Sequence, residues 1–129
     1  MEPRARTKEH VMSSFGLFHR ILDQGHDQIG PGELGAWLGR ARIVDVREPA
    51  EYHGELGHLP GSELVPLATL AQAARAWDRD AAIVVVCRSG GRSAAAQRLL
   101  ASMGFRVVLD LRGGMLAAHA AGLAVQQPG

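Results

Sequence analysis

Ala81-Ala82-Ile83-Val84-Val85-Val86-Cys87-Arg88-Ser89-Gly90-Gly91-Arg92-Ser93 begins as an apolar, largely β-branched run, reaches the chain's one cysteine, and passes into a loop of two arginines, two glycines and two serines. The run is too short to cross a membrane and too β-branched for a comfortable helix, so it predicts a strand buried on both faces of a parallel sheet. Downstream, Ala96, Leu99, Leu100 and Met103 fall on one helical stripe within residues 94–103, and Gly104 supplies a C-terminal stop. Cys87 is therefore expected at the end of a strand, just before a helix N-terminus. Unpaired N–H groups and the positive end of the helix dipole meet at such a place and favour an anion. Helix N-termini and neighbouring arginines lower a cysteine from its usual ~8.5 by one to several units, which predicts a reactive rather than an inert thiol. Arg88 and Arg92 add positive charge, and Gly90 and Gly91 let successive N–H groups turn inward as an anion nest. A buried cysteine that merely closes a core strand is the plain alternative, and the arginine, glycine and serine flanks weigh against it.

The loop Cys87-Arg88-Ser89-Gly90-Gly91-Arg92-Ser93 resembles the active-site loop of rhodanese-type sulfurtransferases, and further motifs of that family follow in its order. Ile43-Val44-Asp45-Val46-Arg47-Glu48-Pro49-Ala50-Glu51-Tyr52 is similar to the family's strand-ending Asp-Val-Arg-Glu segment. Gly57-His58-Leu59-Pro60-Gly61-Ser62 resembles its Gly-His-Ile-Pro-Gly-Ala turn, and Leu111-Arg112-Gly113-Gly114-Met115 its closing Gly-Gly-Met. The resemblance covers roughly residues 28–125. It implies a three-layer α/β/α domain with a five-stranded, mainly parallel sheet of order 1-5-4-2-3. It also implies covalent transfer of sulfane sulfur through a Cys87 persulfide, with Arg88, Ser89, Gly90, Gly91, Arg92 and Ser93 binding the donor. Thiosulfate is the expected small donor, and the acceptor is a thiol or a protein that these motifs do not identify. Arg92 is the stronger of the two candidates for steering an anionic donor. Ser93 has a second expected role as helix N-cap. Asp45 is expected to pair with a loop arginine behind the site, while Arg47 and Glu51, four apart, staple a local turn. Two departures stand out. Four residues, His53 to Leu56, precede Gly57 where relatives carry about two, and Ala118 followed by His119 stands where relatives carry a tryptophan.

Composition narrows the classes of function. A chain of 129 residues with 47% hydrophobic content is enough for one core and hardly two. Its 14 basic and 13 acidic residues nearly cancel, which gives no electrostatic footprint for nucleic acid. One cysteine allows no internal disulfide and no Cys-x-x-Cys pair, so a reducing, cytoplasmic setting is expected. No apolar run approaches a membrane span, and the first twenty residues lack a signal-peptide core. The histidines at 10, 19, 26, 53, 58 and 119 show no zinc spacing, and no nucleotide-binding glycine motif is present. Neither metal nor cofactor is expected.

Along the chain, apolar runs alternate with helical patterns, the signature of an α/β layer fold. Residues 1–24 are expected to form a tail and an amphipathic helix carrying Val11, Phe15, Phe18 and Leu22, and residues 25–129 the domain itself. Strands are expected near 28–30, 42–46, 63–65, 81–87 and 106–111. Helices are expected over 32–38, at 48–52 as one turn, around Leu67, Leu70, Ala71, Ala74 and Trp77, and over 115–121. Spacing alone supports only the parallel α/β class, in which ligands bind at the carboxyl ends of strands.

Three functional classes follow. The first is a sulfurtransferase. The second is a sulfur-relay or sensory module whose role is to bind a partner protein, read through the N-terminal helix, the rim around His53 to His58, or Ala118-His119. The third is a cysteine-dependent phosphatase or arsenate reductase, which needs Cys-x5-Arg around a tetrahedral oxyanion. Here only four residues separate Cys87 from Arg92, and Val86 stands where a His-Cys pair would have histidine. The shorter cradle suits a single sulfur atom. Oligomeric state is not encoded in any of these motifs.

Overall fold

The computed structural model describes residues 28–123 and 125. The expected N-terminal tail and helix lie outside the described residues. Strands β1 (Gln28–Ile29), β2 (Ala41–Asp45), β3 (Glu63–Leu64), β4 (Ala82–Val86) and β5 (Val108–Leu111) alternate with a 3-10 helix (Pro31–Ala36) and four α-helices. These helices are α1 (Pro49–Tyr52), α2 (Leu67–Ala74), α3 (Gly91–Ser102) and α4 (Gly114–Ala120). The sheet order is β1-β5-β4-β2-β3, and every pairing is parallel.

Strand β4 lies at the centre, paired with β2 from Ala41↔Ala82 to Asp45↔Val86 and with β5 from Ile83↔Val108 to Val85↔Asp110. Its side chains alternate between two cores, which explains why the run is apolar throughout. Val84 and Val86 join Ile29, Leu34, Trp37, Leu109, Leu111, Met115 and Ala118 on one face. Ile83, Val85 and Cys87 join Leu70, Ala74, Ala96, Leu100 and Phe105 on the other, beneath α2 and α3. Each fully buried aliphatic side chain contributes about 1.5–3 kcal/mol, so the two cores hold the carboxyl rim of the sheet firmly in place.

Several elements differ from the sequence reading for identifiable reasons. The helix expected over 32–38 is a 3-10 helix, because Gly32 and Gly35 weaken α-helix formation in a short segment entered through Pro31. Ala71 is exposed, and Trp77 lies past the end of α2, where the Arg42 guanidinium stacks 4.2 Å above its ring. Helix α3 begins at Gly91, with Gly90 as its N-cap. Ser93 is therefore inside the first turn and does not cap the helix.

Candidate active site

Cys87 follows β4 directly, and its residue exposure is 1%. Gly90 adopts φ 124°, a conformation that side-chain-bearing residues rarely reach, and its N–H donates to Cys87 Sγ at 2.9 Å. The Cys87 and Arg88 carbonyls are held by α4. The Met115 and Leu116 N–H groups donate to the Cys87 and Arg88 carbonyls at 2.8 and 3.0 Å. A Cβ on Gly114 would clash with the Cys87 carbonyl oxygen, so only glycine permits this approach. The glycine pair recognised in the sequence thus anchors the cysteine loop from behind, leaving the Gly90 N–H directed at the sulfur.

Ser93 Oγ lies 3.3 Å from Cys87 Sγ and 2.5 Å from Asp110 Oδ1. Ser93 and Asp110 are both buried. The hydroxyl expected to bind a donor is thus turned into the protein, whereas Ser89 and Arg88 are exposed.

Ion pairing differs from the expected pattern. Asp45 meets Arg47, not a loop arginine: Arg47 Nε and Nη2 donate to the Asp45 carboxylate at 2.9 and 2.8 Å. The same guanidinium donates to the Glu51 carbonyl at 3.2 Å and the Gly57 carbonyl at 2.8 Å, tying β2 to α1 and to the Gly57 turn. The Glu51 carboxylate instead receives Arg92 Nη1 and Nη2 at 2.6 and 2.8 Å, across 41 residues of sequence. These Arg92 hydrogen bonds, together with one from the Glu48 amide, pull Glu51 down from 4.5 to about 2. Arg92 is raised in turn, chiefly by the same hydrogen bond. Side-chain exposures of 37% for Arg92 and 30% for Glu51 place the pair at the protein surface, at the edge of the loop.

Beside the loop lies a cavity of about 380 Å³ lined by Arg47, Ala50, Glu51, Gly54, Glu55, Leu56, Arg88 and Leu116. Three lining residues, Gly54, Glu55 and Leu56, come from the lengthened turn before Gly57, within the rim from His53 to His58 that the sequence reading offered as a partner surface. Helix α4 contributes Leu116, whereas Ala118 is buried in the core and His119 is exposed. Position 118 therefore does not face the cavity. Asp110 and Leu116 are the site neighbours that the sequence reading left without a role, whereas Glu51, expected to staple a local turn with Arg47, gives its carboxylate to Arg92. Asp110, a charge inside the buried strand Val-Leu-Asp-Leu, is the one that carried a readable signal.

Among the described residues, no group of three or more His, Cys, Asp or Glu side chains is arranged to hold a metal ion. No described helix is long and apolar enough to cross a membrane.

Comparison with known proteins agrees with this architecture. The profile of the Rhodanese-like domain matches residues 30–121. The chain is similar to the thiosulfate sulfurtransferase GlpE of Pseudomonas fluorescens, 40% identical over 74 residues, covering 57% of this chain and 66% of that protein. It is also similar to the probable adenylyltransferase/sulfurtransferase MoeZ of Mycobacterium tuberculosis, 33% identical over 94 residues. That match covers 69% of this chain and 24% of MoeZ, so the chain spans about a quarter of that relative's length. The crystal structure of a rhodanese-related protein from Thermoplasma volcanium superposes with a TM-score of 0.69 at 28% identity, covering 77% of this chain and 96% of that one.

Proposed function

This chain belongs to the rhodanese-like domain family, and from that premise we propose that it is a sulfurtransferase that carries sulfane sulfur as a Cys87 persulfide. The observation that supports this most directly is the sulfur at the end of β4 receiving the Gly90 N–H at 2.9 Å, beside the start of α3. Aligned N–H groups at a helix start stabilise negative charge on sulfur without an ion or cofactor.

The reaction has two displacements. The Cys87 thiolate attacks the outer sulfur of thiosulfate. A new sulfur–sulfur bond forms as the donor's own breaks, and sulfite leaves with the bonding pair. A nucleophilic acceptor, a thiol or cyanide, then takes the outer sulfur from the persulfide and the Cys87 thiolate is regenerated. The Gly90 amide is directed at charge held on sulfur throughout, the arrangement in which preorganised donors lower barriers most. Because Cys87 is nearly enclosed, a narrow terminal sulfur suits the site better than a bulky ester.

Arg88 is the steering cation in this reading, since it lines the cavity while Arg92 is engaged by Glu51. That engagement also argues against phosphatase chemistry, which needs the loop arginine free to clamp an oxyanion. Similarity to the thiosulfate sulfurtransferase GlpE makes thiosulfate the first donor to test. With thiosulfate and cyanide, wild-type protein is expected to release thiocyanate catalytically, and Cys87→Ala is expected to release none. Turnover that persists in Cys87→Ala, or no turnover by folded wild-type protein with any sulfane donor, contradicts the proposal.

A further inference from the structure

We infer that Ser93 and Asp110 form a buried proton relay that takes up the Cys87 thiol proton. Strand register places Asp110 opposite Val85 on the sheet face beneath α3, and Cys87 lies two residues beyond Val85 on that same face. Ser93 reaches the same spot from the first turn of α3. All three groups are essentially inaccessible, with residue exposures of 1% for Cys87, 0% for Ser93 and 1% for Asp110. Water therefore has poor access to the thiol, and the sulfur donates a hydrogen bond to Ser93 Oγ at 3.3 Å.

The direction of the relay follows from counting protons. A serine hydroxyl has one hydrogen and lone pairs to accept others. Ser93 Oγ has two acceptors in reach, Asp110 Oδ1 at 2.5 Å and the Gly90 carbonyl at 3.2 Å. The carboxylate is both the nearer and the stronger acceptor, so the hydroxyl hydrogen goes to Asp110. The Ser93 lone pairs then face Cys87 Sγ and accept its S–H. In that arrangement the serine can receive a proton from sulfur only by passing its own to the carboxylate.

In the step itself, the S–H bond breaks and leaves its electron pair on sulfur. A new O–H bond forms at Ser93 as its original proton moves to Asp110 Oδ1. The products are a Cys87 thiolate and a neutral Asp110 carboxyl. Charge is conserved, and no outside base is consumed. The proton stays on Asp110 while the thiolate attacks the donor and while sulfur is carried as persulfide. It returns by the same path once the acceptor has taken the outer sulfur. Ser93 touches the reacting sulfur, whereas Asp110 acts through Ser93 and positions its oxygen. The order of transfer steps rests on the sulfurtransferase reading, but uptake of the thiol proton does not.

Asp110→Asn provides the test because Asn retains a carbonyl oxygen to receive the Ser93 hydroxyl but cannot take a proton. Two rates are to be measured on wild type, Asp110→Asn, Ser93→Ala and the double variant. One is alkylation of Cys87 by the neutral reagent iodoacetamide, and the other is single-turnover persulfide formation at saturating thiosulfate. Each single variant is expected to lose about 100-fold in both rates, the lower end of what a positioned base supplies. Half-saturating thiosulfate should stay unchanged, and the double variant should be no slower than the slower single. A carboxylate acting only as nearby negative charge would give the opposite sign, with Asp110→Asn alkylating faster than wild type. Faster or unchanged alkylation in Asp110→Asn, or losses that multiply in the double variant, overturns the relay. If Ser93→Ala is poorly folded, the sign for Asp110→Asn still decides. Slowed alkylation in the variants together with no persulfide in wild type would keep the relay and reject the sulfurtransferase reading.

Discussion

Asp45 at the end of β2 and Asp110 in β5 are both buried at the carboxyl rim of one sheet, yet they meet different partners. Asp45 receives a guanidinium through Nε and Nη2, and the remaining reach of that guanidinium ends on the Glu51 and Gly57 carbonyls. Charge and donors there are used up in holding α1 and the Gly57 turn against β2. Asp110 receives the hydroxyl of Ser93, which also contacts the thiol of Cys87. A hydroxyl can pass a proton onward, and a guanidinium retains its protons in proteins. The first aspartate is thus suited to fixing geometry and the second to chemistry, although both are acidic residues buried at a strand end.

The largest effect that tests this division belongs to the sulfur. Cys87→Ser is expected to abolish persulfide formation while changing stability little, because the exchange is nearly isosteric. Retained transfer, followed as thiocyanate release, would move the chemistry away from β4. Next comes the closed aspartate. Asp45→Asn leaves Arg47 buried without its counter-charge, and losing one partner of such a pair costs about 3–5 kcal/mol. Urea unfolding should show that loss for Asp45→Asn, and an unchanged midpoint would show that the pair does not hold β2 to α1 and the Gly57 turn.

The sequence made parts of this arrangement readable and hid others. The cysteine loop was legible because a β-branched run, a glycine pair and two arginines are local signals, each with its own backbone consequence. Gly113-Gly114 was legible as a family motif, and the structure shows what the motif requires: room beside the Cys87 and Arg88 carbonyls. The strand order followed from the family resemblance, whereas the alternation of runs supplied only the parallel class. Partner choice among charges was not legible. A four-residue spacing suggested Arg47 with Glu51, and Arg47 does reach the Glu51 carbonyl, but α1 is one turn long and turns the Glu51 carboxylate toward Arg92, 41 residues away. Ser93 looked like a cap because Ser commonly caps helices, yet the positive φ of Gly90 starts α3 earlier and carries Ser93 inward.

At the surface, Arg88 lines the cavity while Arg92 is engaged by Glu51. Arg88→Ala is expected to weaken thiosulfate use about tenfold and use of a neutral persulfide donor much less, because a lone surface cation acts on a dianion through screened electrostatics. Arg92→Ala should affect both donors alike, through loop shape. Steady-state kinetics with both donors at two salt concentrations checks this, and a selective thiosulfate defect in Arg92→Ala alone would reverse the assignment.

The smallest effect concerns acid. Glu51 sits at about 2 in the folded protein against an ordinary 4.5. A depressed carboxyl contributes stability that is fully present above 4.5 and lost as pH falls through about 2. The pair is partly exposed, so its contribution is under about 1 kcal/mol. The stability difference between wild type and Glu51→Gln should be constant above pH 4.5, shrink below it, and vanish under pH 2. A difference that persists undiminished at the acid end would show that Arg92 is not the source.

Intact mass after incubation with thiosulfate reports whether Cys87 carries sulfur covalently. A gain of one sulfur atom per chain is expected, located at Cys87 by peptide mapping, removed by cyanide and absent from Cys87→Ser. A folded wild-type protein that stays unmodified across thiosulfate and persulfide donors, or that gains sulfur equally in Cys87→Ser, would contradict it.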